Sequence, residues 1–587
     1  MITLSGIAAS PGIVFGQAFL YEVEKFKVRR HQISEENVAA EIAQFKEAVA
    51  KAKGEITRIR DNVANGMSKE YADIFSAHLL LLEDPFLIIE VTKKIKDEHK
   101  NVEYALWEVL EVLSKNFEDL EDEYIRERAI DIYDIGKKIL YNLVERKRLG
   151  LEEIEPGSVI VAHNLTPSDT AQIDKSKVVA FVTEGGGPTS HTAILARALE
   201  IPAVVGLSNA TLQVKDGDTL IVDGLRGIIV ANPSQTKLEE YTQRKREFEA
   251  FEAGLAKLKD LPAQTQDRYR VEIAANVELI EEVSLAKEHG AEGIGLYRTE
   301  FLYLNRNELP SEEELFKTYQ EAVETISPYP VIFRTLDLGG DKLPYHLEET
   351  GGQIESNPFL GLRAIRLCLQ HPEIFKTQLR AILMTSKYGK VKLMIPMISN
   401  VEEVRKTKAI LADVMKELEG RRILFDEKIE LGIMIETPSA AMMADILAKE
   451  VDFFSIGTND LIQYTLAVDR GNEQLAYLYR PSHPAILRLL KETIEAAHRE
   501  GKWVGMCGEM ASNPLFTVLL LGLGLDEFSM SGVSIPEIKE IIRSTTLGEA
   551  KELAQQAFTL SEADEVEELM RDRLSARFGH IIDMTKK

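Results

Sequence analysis

Residues 431–437, LGIMIET, and 453–460, FFSIGTND, are two short apolar runs that each end in polar residues, with the helix-forming stretch PSAAMMADILAKE between them. Runs of this length, bounded by polar punctuation, read as strands buried on both faces, and strand-helix-strand repetition predicts parallel pairing. The same unit recurs on either side. VEIAANV begins at 271, GIGLYRTE at 293, VIFRTLD at 331, VKLMIPM at 391, WVGMCGE at 503 and EFSMS at 527. Eight such units within residues 263–587 predict a (β/α)8 TIM barrel, in which the chemistry collects at the C-terminal strand ends.

Each strand end nominates its own residues: Asn276, Arg298, Arg334 with Asp337, Met397, Glu436, Asn459 with Asp460, Cys507 with Glu509, and Ser529. Asn276, Met397 and Ser529 read as structural at least as readily as functional. Glu436 and Asp460 close neighbouring strands, so their carboxylates can share one cation. Two carboxylates completed by substrate oxygens and water suit Mg²⁺. A carboxylate paired with arginine is the alternative. Arg298 and Arg334, with Arg470 in AVDRGN and Arg363 in NPFLGLRAIR, offer planar forks for phosphate or carboxylate. Such a mouth fits a small, multiply anionic substrate, and no GxxxxGK[ST] nucleotide loop is present. Cys507 is either a small buried hydrophobe or a general acid placed to protonate an enolate. Cys368 lies inside a helical run and packs.

The N-terminal half follows a different rule. Val178–Val182 reads as a strand, Gly185–Gly187 as a tight turn, and TSHTAILARALE from Thr189 as a helix with Ile194, Leu195, Ala198 and Leu199 on one face. His191 then falls in the first helical turn, where uncapped N–H groups favour an anion. It is either a solvated histidine of a glycine-tight turn or an imidazole placed to take a phosphoryl group. Thr170 in LTPSDTAQ is a candidate to orient it. Short β-rich runs after Gly157 need partners, which residues 1–21 can supply. Between them the spacing of Val38, Ile42, Phe45, Val49, Ala52, Ile56, Ile59 and Val63 predicts a long helix packed on others. His78, Glu83 and Asp84 lie in this helical insert, where His78 alone reads as a surface or packing residue. Residues 233–262 are charged and helix-forming, a solvated helix that also serves as a hinge.

With 587 residues and 45% hydrophobic content the chain can build several cores, and a net charge of −25 argues against nucleic acid or an anionic membrane as the main partner. Two cysteines make no disulfide framework, and neither a leader pattern nor a membrane span is apparent, which points to a cytoplasmic protein without membrane insertion.

Taken together, SPGIVFGQA, LTPSDTAQ, TSHTAILARALEIPAVVG, GLYRTEFL, RTLDLGGDK, NPFLGLRAIR, ETPSAA, DFFSIGTNDLIQYTLAVDRGN, GMCGEMA and GLDEFSMS closely resemble, in order, Enzyme I of the bacterial sugar phosphotransferase system, the phosphoenolpyruvate-protein phosphotransferases. The resemblance implies a phosphohistidine α/β domain (1–21 plus 149–232), an inserted helical subdomain (22–148), a linker helix (233–262) and a barrel that binds phosphoenolpyruvate and dimerises (263–587). It implies that phosphoenolpyruvate phosphorylates His191 and that the phosphohistidine passes the group to the carrier protein HPr. Arg298, Arg334, Asn459, Asp460, Arg470 and Arg363 are then substrate contacts, Glu436 and Asp460 the Mg²⁺ ligands, and Cys507 the acid. HPr docks near His78, Glu83 and Asp84. Pro188 departs from the pattern, because the family often has a basic residue there. Two alternatives are a phosphoenolpyruvate synthase or pyruvate phosphate dikinase relative, which needs an ATP-binding domain, and a non-catalytic HPr-binding regulator.

Overall fold

The computed structural model describes residues 1–21, 30–66, 78–79, 82, 85–118, 135–136, 138–143, 154–165, 173, 176–187, 190, 192–193, 196, 201–304, 308–339, 357–470, 472 and 474–584. The chain divides into two units, the first built on Met1–Ala250 and the second on Phe251–Thr585.

The first unit is built on an eight-stranded mixed sheet. Its strands are β1 (Ile2–Ser5), β2 (Ile7–Ser10), β3 (Ile13–Tyr21), β4 (Ser158–Ala162), β5 (Val178–Thr183), β6 (Ala203–Val205), β7 (Thr219–Asp223) and β8 (Ile228–Ala231). They lie in the order β1-β8-β7-β3-β4-β5-β6-β2. Residues 1–21 therefore do pair with the later β-rich runs. β1 runs antiparallel to β8, β2 antiparallel to β6, and β3 sits between β7 and β4. The central strands read as unbroken apolar runs because both faces are covered. Ile160, Phe181 and Val205 face one core and Val159, Val182 and Val204 the other.

β3 and β4 are adjacent and parallel, with Gln17 opposite Ser158 and Tyr21 opposite Ala162. Parallel neighbours need a long crossover, and here the helical insert provides it. Its described helices include α1 (Val38–Gly66), α2 (Pro85–Glu98) and α3 (Val102–Glu118). They bury their own core, in which Phe45, Ala52 and Ile56 of α1 meet Val91, Ile95, Leu106 and Val109. Val38, Ile42 and Val49 pack at its edge, as their spacing predicts. The charged stretch after residue 233 forms helix α4 (Gln235–Ala256), and Arg244 on it pairs with buried Asp223 at the end of β7 (3.0 Å).

The second unit is a closed barrel of eight parallel strands. These are β9 (Glu272–Val277), β10 (Ile294–Tyr297), β11 (Val331–Arg334), β12 (Val391–Ile395), β13 (Glu430–Ile435), β14 (Phe453–Ile456), β15 (Trp503–Met506) and β16 (Glu527–Met530), with β16 closing back on β9. All eight predicted runs are barrel strands. Leu296, Ile332, Met394, Met434 and Phe453 fill the interior. At the end opposite the mouth, Glu527 is buried with Oε1 unbonded, and Gly295 and Gly505 leave it room. A Cβ at those glycines would lie 2.7 and 2.9 Å from that oxygen.

Candidate active site

The barrel's C-terminal end gathers an alternating set of cations and anions. Arg334, the last residue of β11, places Nη1 3.1 Å from Asp337 Oδ2 and Nη2 3.1 Å from Glu300 Oε1. Arg363, just before the helix Ala364–Gln370, places Nη2 2.8 Å from Asp337 Oδ1. Burial opposes the Arg334 charge, but Glu300, Asp337 and Glu436 outweigh it, and the guanidinium is held more firmly protonated than usual. The same balance raises Arg363, with Asp337 and Asp460 overcoming burial. For Asp337, burial favours the neutral acid, but Arg334 and Arg363 prevail and hold it below the usual carboxylate range. Arg334 Nε is buried without a hydrogen bond.

Glu436 follows β13 directly and is 1% exposed. Burial and the charges of Asp337 and Asp460 push it up to about 8, against the pull of Arg334. Thr437 then caps the helix Pro438–Met442, accepting from Ala440 N and donating to Ile398 O, which fixes where the strand ends. Asp460 enters from the first turn of the helix Thr458–Leu466. Among the described residues its buried Oδ1 has no hydrogen bond, and Arg470 Nη2 stands 3.8 Å away. The two strand ends come close because Gly457 lacks a side chain: a Cβ there would stand 2.8 Å from Glu436 Oε2. Gly508 is as constrained, since its Cβ would fall 1.9 Å from Thr458 Oγ1.

Among the described residues no group of three or more His, Cys, Asp or Glu side chains is gathered as a metal cage. Glu436 and Asp460 nevertheless suit a cation that brings most of its own ligands: two buried carboxylates repel one another, and one Asp460 oxygen has no donor among the described residues. Mg²⁺ is bound in this way, by one or two carboxylates with substrate phosphates and water.

Cys507 follows β15, is 4% exposed and packs with Leu296, Met434 and Phe453. Burial pushes its thiol up to about 11, so it carries its proton at neutral pH. Asn276 donates from Nδ2 to Cys507 O (2.9 Å) and accepts from Ser529 Oγ (2.7 Å), a structural tie across three strands. Asn459 and Glu509 bond reciprocally, with Glu509 N donating to Asn459 Oδ1 (2.9 Å) and Asn459 Nδ2 to Glu509 Oε1 (3.3 Å). Arg298 is half-exposed and paired with Glu278. The barrel thus brings Arg334, Arg363, Glu436, Asp460 and Cys507 to one end. Among the described residues Glu278, Glu300 and Tyr464, whose hydroxyl donates to Phe359 O (2.7 Å), also belong to these surroundings without having been singled out in the sequence. Glu300 alone had a signal, because it ends the run GLYRTE.

In the first unit, His191, Thr170 and Pro188 lie outside the described residues, as do Glu83 and Asp84 of the helical insert. The glycine turn ahead of His191 is held from the sheet side. Glu184 accepts from Thr211 N (2.8 Å) and Thr211 Oγ1 (2.7 Å), and lies 2.7 Å from His163 Nδ1. Burial disfavours its charge, but these bonds prevail and keep Glu184 below the ordinary carboxylate range. Gly186 has φ 100°, in the left-handed region, and a Cβ there would lie 2.7 Å from Ser190 Oγ. His78 is fully buried, which corrects the expectation of a docking side chain: its environment is the bundle core.

Three family models match. PEP-utilising enzyme, PEP-binding domain, covers residues 252–547; PEP-utilising enzyme, N-terminal, covers 5–128; and PEP-utilising enzyme, mobile domain, covers 154–227. A phosphoenolpyruvate-protein phosphotransferase of Bacillus sp. (strain S) is 48% identical over 566 residues, spanning 96% of this chain and 97% of that protein. One from Haemophilus influenzae is 45% identical over 571 residues, 97% of this chain and 99% of the relative. A solution structure described as Enzyme I (nEIt) is 47% identical and covers 42% of this chain and 99% of its own, with a TM-score of 0.37.

Proposed function

The chain belongs to the phosphoenolpyruvate-protein phosphotransferase family, and on that premise we propose that it moves the phosphoryl group of phosphoenolpyruvate to its own His191 and then to a histidine of the carrier protein HPr. The observation that carries this reading is the convergence of buried Arg334 and Arg363 with Glu436, Asp460 and a protonated Cys507 at one barrel mouth.

Arg298, Arg334 and Arg363 bind the phosphoryl and carboxylate oxygens, with Asn459 and Arg470 at the rim. Glu436 and Asp460 would hold Mg²⁺, which when bound neutralises phosphoryl charge. The His191 imidazole attacks phosphorus. A nitrogen–phosphorus bond forms, the bridging phosphorus–oxygen bond breaks, and its electron pair leaves on the enolate. Cys507 gives its Sγ proton to the enolate carbon, yielding pyruvate, and recovers a proton from water. In the second step the carrier histidine attacks the same phosphorus and frees His191.

Because His191 and the barrel belong to different units of the chain, the imidazole must be delivered to the mouth, with α4 and the segment after it as the connection. The helical insert supplies the HPr-docking surface, near Glu83 and Asp84. In this division of roles residues 1–21 plus 149–232 carry the phosphohistidine, 22–148 bind HPr, 233–262 link the halves, and 263–587 bind phosphoenolpyruvate and dimerise. The protein acts in the cytoplasm, and among the described residues no helix is long and apolar enough to cross a membrane. It works as a homodimer through the second unit, where Met442 and Ile446 leave apolar surface exposed. Incubation with ³²P-phosphoenolpyruvate alone, with and without Mg²⁺, tests the reading. Metal-dependent label on His191 is expected, and a chain that takes no label is a non-catalytic relative.

A further inference from the structure

Gln378 lies on the helix Pro372–Thr385, outside the barrel, yet it is 1% exposed and fully bonded. Its Oε1 accepts from Leu336 N (2.9 Å), while Nε2 donates to Thr299 Oγ1 (2.9 Å) and Tyr319 OH (3.3 Å). Thr299 Oγ1 in turn donates to Arg334 O (2.9 Å). The amide's orientation follows from its partners. A backbone N–H can only donate, so Oε1 must face Leu336. Thr299 spends its single proton on Arg334 O, so it must accept from Nε2.

One buried amide therefore ties the segment after β10 to the segment after β11. Thr299 is the neighbour of Arg298, and Leu336 stands between Arg334 and Asp337. Glu300 repeats the link nearer the mouth, accepting from Asp337 N (2.9 Å). We propose that Gln378 is a positioning residue that sets the spacing of the Arg298 and Arg334 guanidiniums by bridging Thr299 and the Leu336 backbone. It touches neither substrate nor metal, and the inference rests on the reading that those arginines bind phosphoenolpyruvate.

The test is steady-state phosphorylation of the full-length chain by phosphoenolpyruvate with Mg²⁺ from pH 6 to pH 8.5. Gln378→Glu keeps the shape but, once ionised, loses both donors. Relative to wild type its kcat/KM should fall about tenfold or more at pH 8.5, mainly through KM, and recover toward pH 6 as the buried carboxyl regains a proton and one donor. Thr299→Val, which removes the middle of the relay, should show a similar loss with a pH-independent ratio to wild type. A flat ratio for Gln378→Glu, or wild-type constants for Thr299→Val, overturns the proposal. The wild type is labelled in parallel, because its failure to turn over phosphoenolpyruvate would instead overturn the parent reading.

Discussion

The backbone N–H of Met397, held in the left-handed region at φ 56°, donates to Glu436 Oε1 at 2.5 Å. Met397 thus serves the site through its backbone, and one Glu436 oxygen is committed while Oε2 is left on the Gly457 side.

That division predicts the effect of Glu436→Gln. The amide fits the same space but brings no charge, so Mg²⁺-dependent phosphorylation should drop by about 10²-fold or more while the melting temperature holds or rises. Initial rates of ³²P incorporation and a thermal melt check both parts. Wild-type rates would remove Glu436 from the metal site.

Glu436 and Glu527 are each pushed up to about 8, Glu436 by burial and neighbouring carboxylates and Glu527 by burial and Glu272. An unfolded glutamate titrates near about 4.3. Between that value and about 8 the folded chain keeps protons the unfolded chain has lost, so metal-free stability falls as pH rises through this window and is level above it. Melts at pH 6 and pH 9 should show the lower midpoint at pH 9. Mg²⁺ should offset part of the difference through Glu436, and Glu527→Gln should shrink it without altering turnover.

Cys507→Ala should leave phosphoenolpyruvate binding in place and slow pyruvate formation by about 10²- to 10⁴-fold, the range of one well-placed acid. A coupled pyruvate assay reads it. Because the thiol is buried and pushed up to about 11, iodoacetamide should label it slowly at pH 7.5.

His191→Ala should abolish labelling and retain Mg²⁺-dependent phosphoenolpyruvate binding by calorimetry. Label surviving in that variant would mean another residue accepts the group.

Deletion of residues 30–145 with a short connector should spare self-phosphorylation and end transfer to HPr. Gel separation of labelled chain and labelled HPr distinguishes the two steps, and continued transfer would place docking elsewhere.

The barrel was legible because a strand buried on both faces must be apolar throughout and must stop where polar residues begin. LGIMI before Glu436 and FFSI before Asn459 and Asp460 show both properties. The carboxylates and arginines at the strand ends were legible for the same reason. What pairs with them was not. Glu278 and Gln378 reach the site from a loop and an outer helix, and no local periodicity marks a side chain whose partners lie far away in the chain. His78 shows the converse, a polar residue whose burial only the packing of the bundle reveals.

The insert leaves the sheet at Tyr21 and returns to it at Ser158, on strands that lie side by side. An excursion that starts and finishes at one seam imposes no register on the rest of the sheet and carries its own hydrophobic interior. Evolution can therefore rewrite this insert wholesale, and an engineer can exchange it for another helical module, while the strands on either side keep their places.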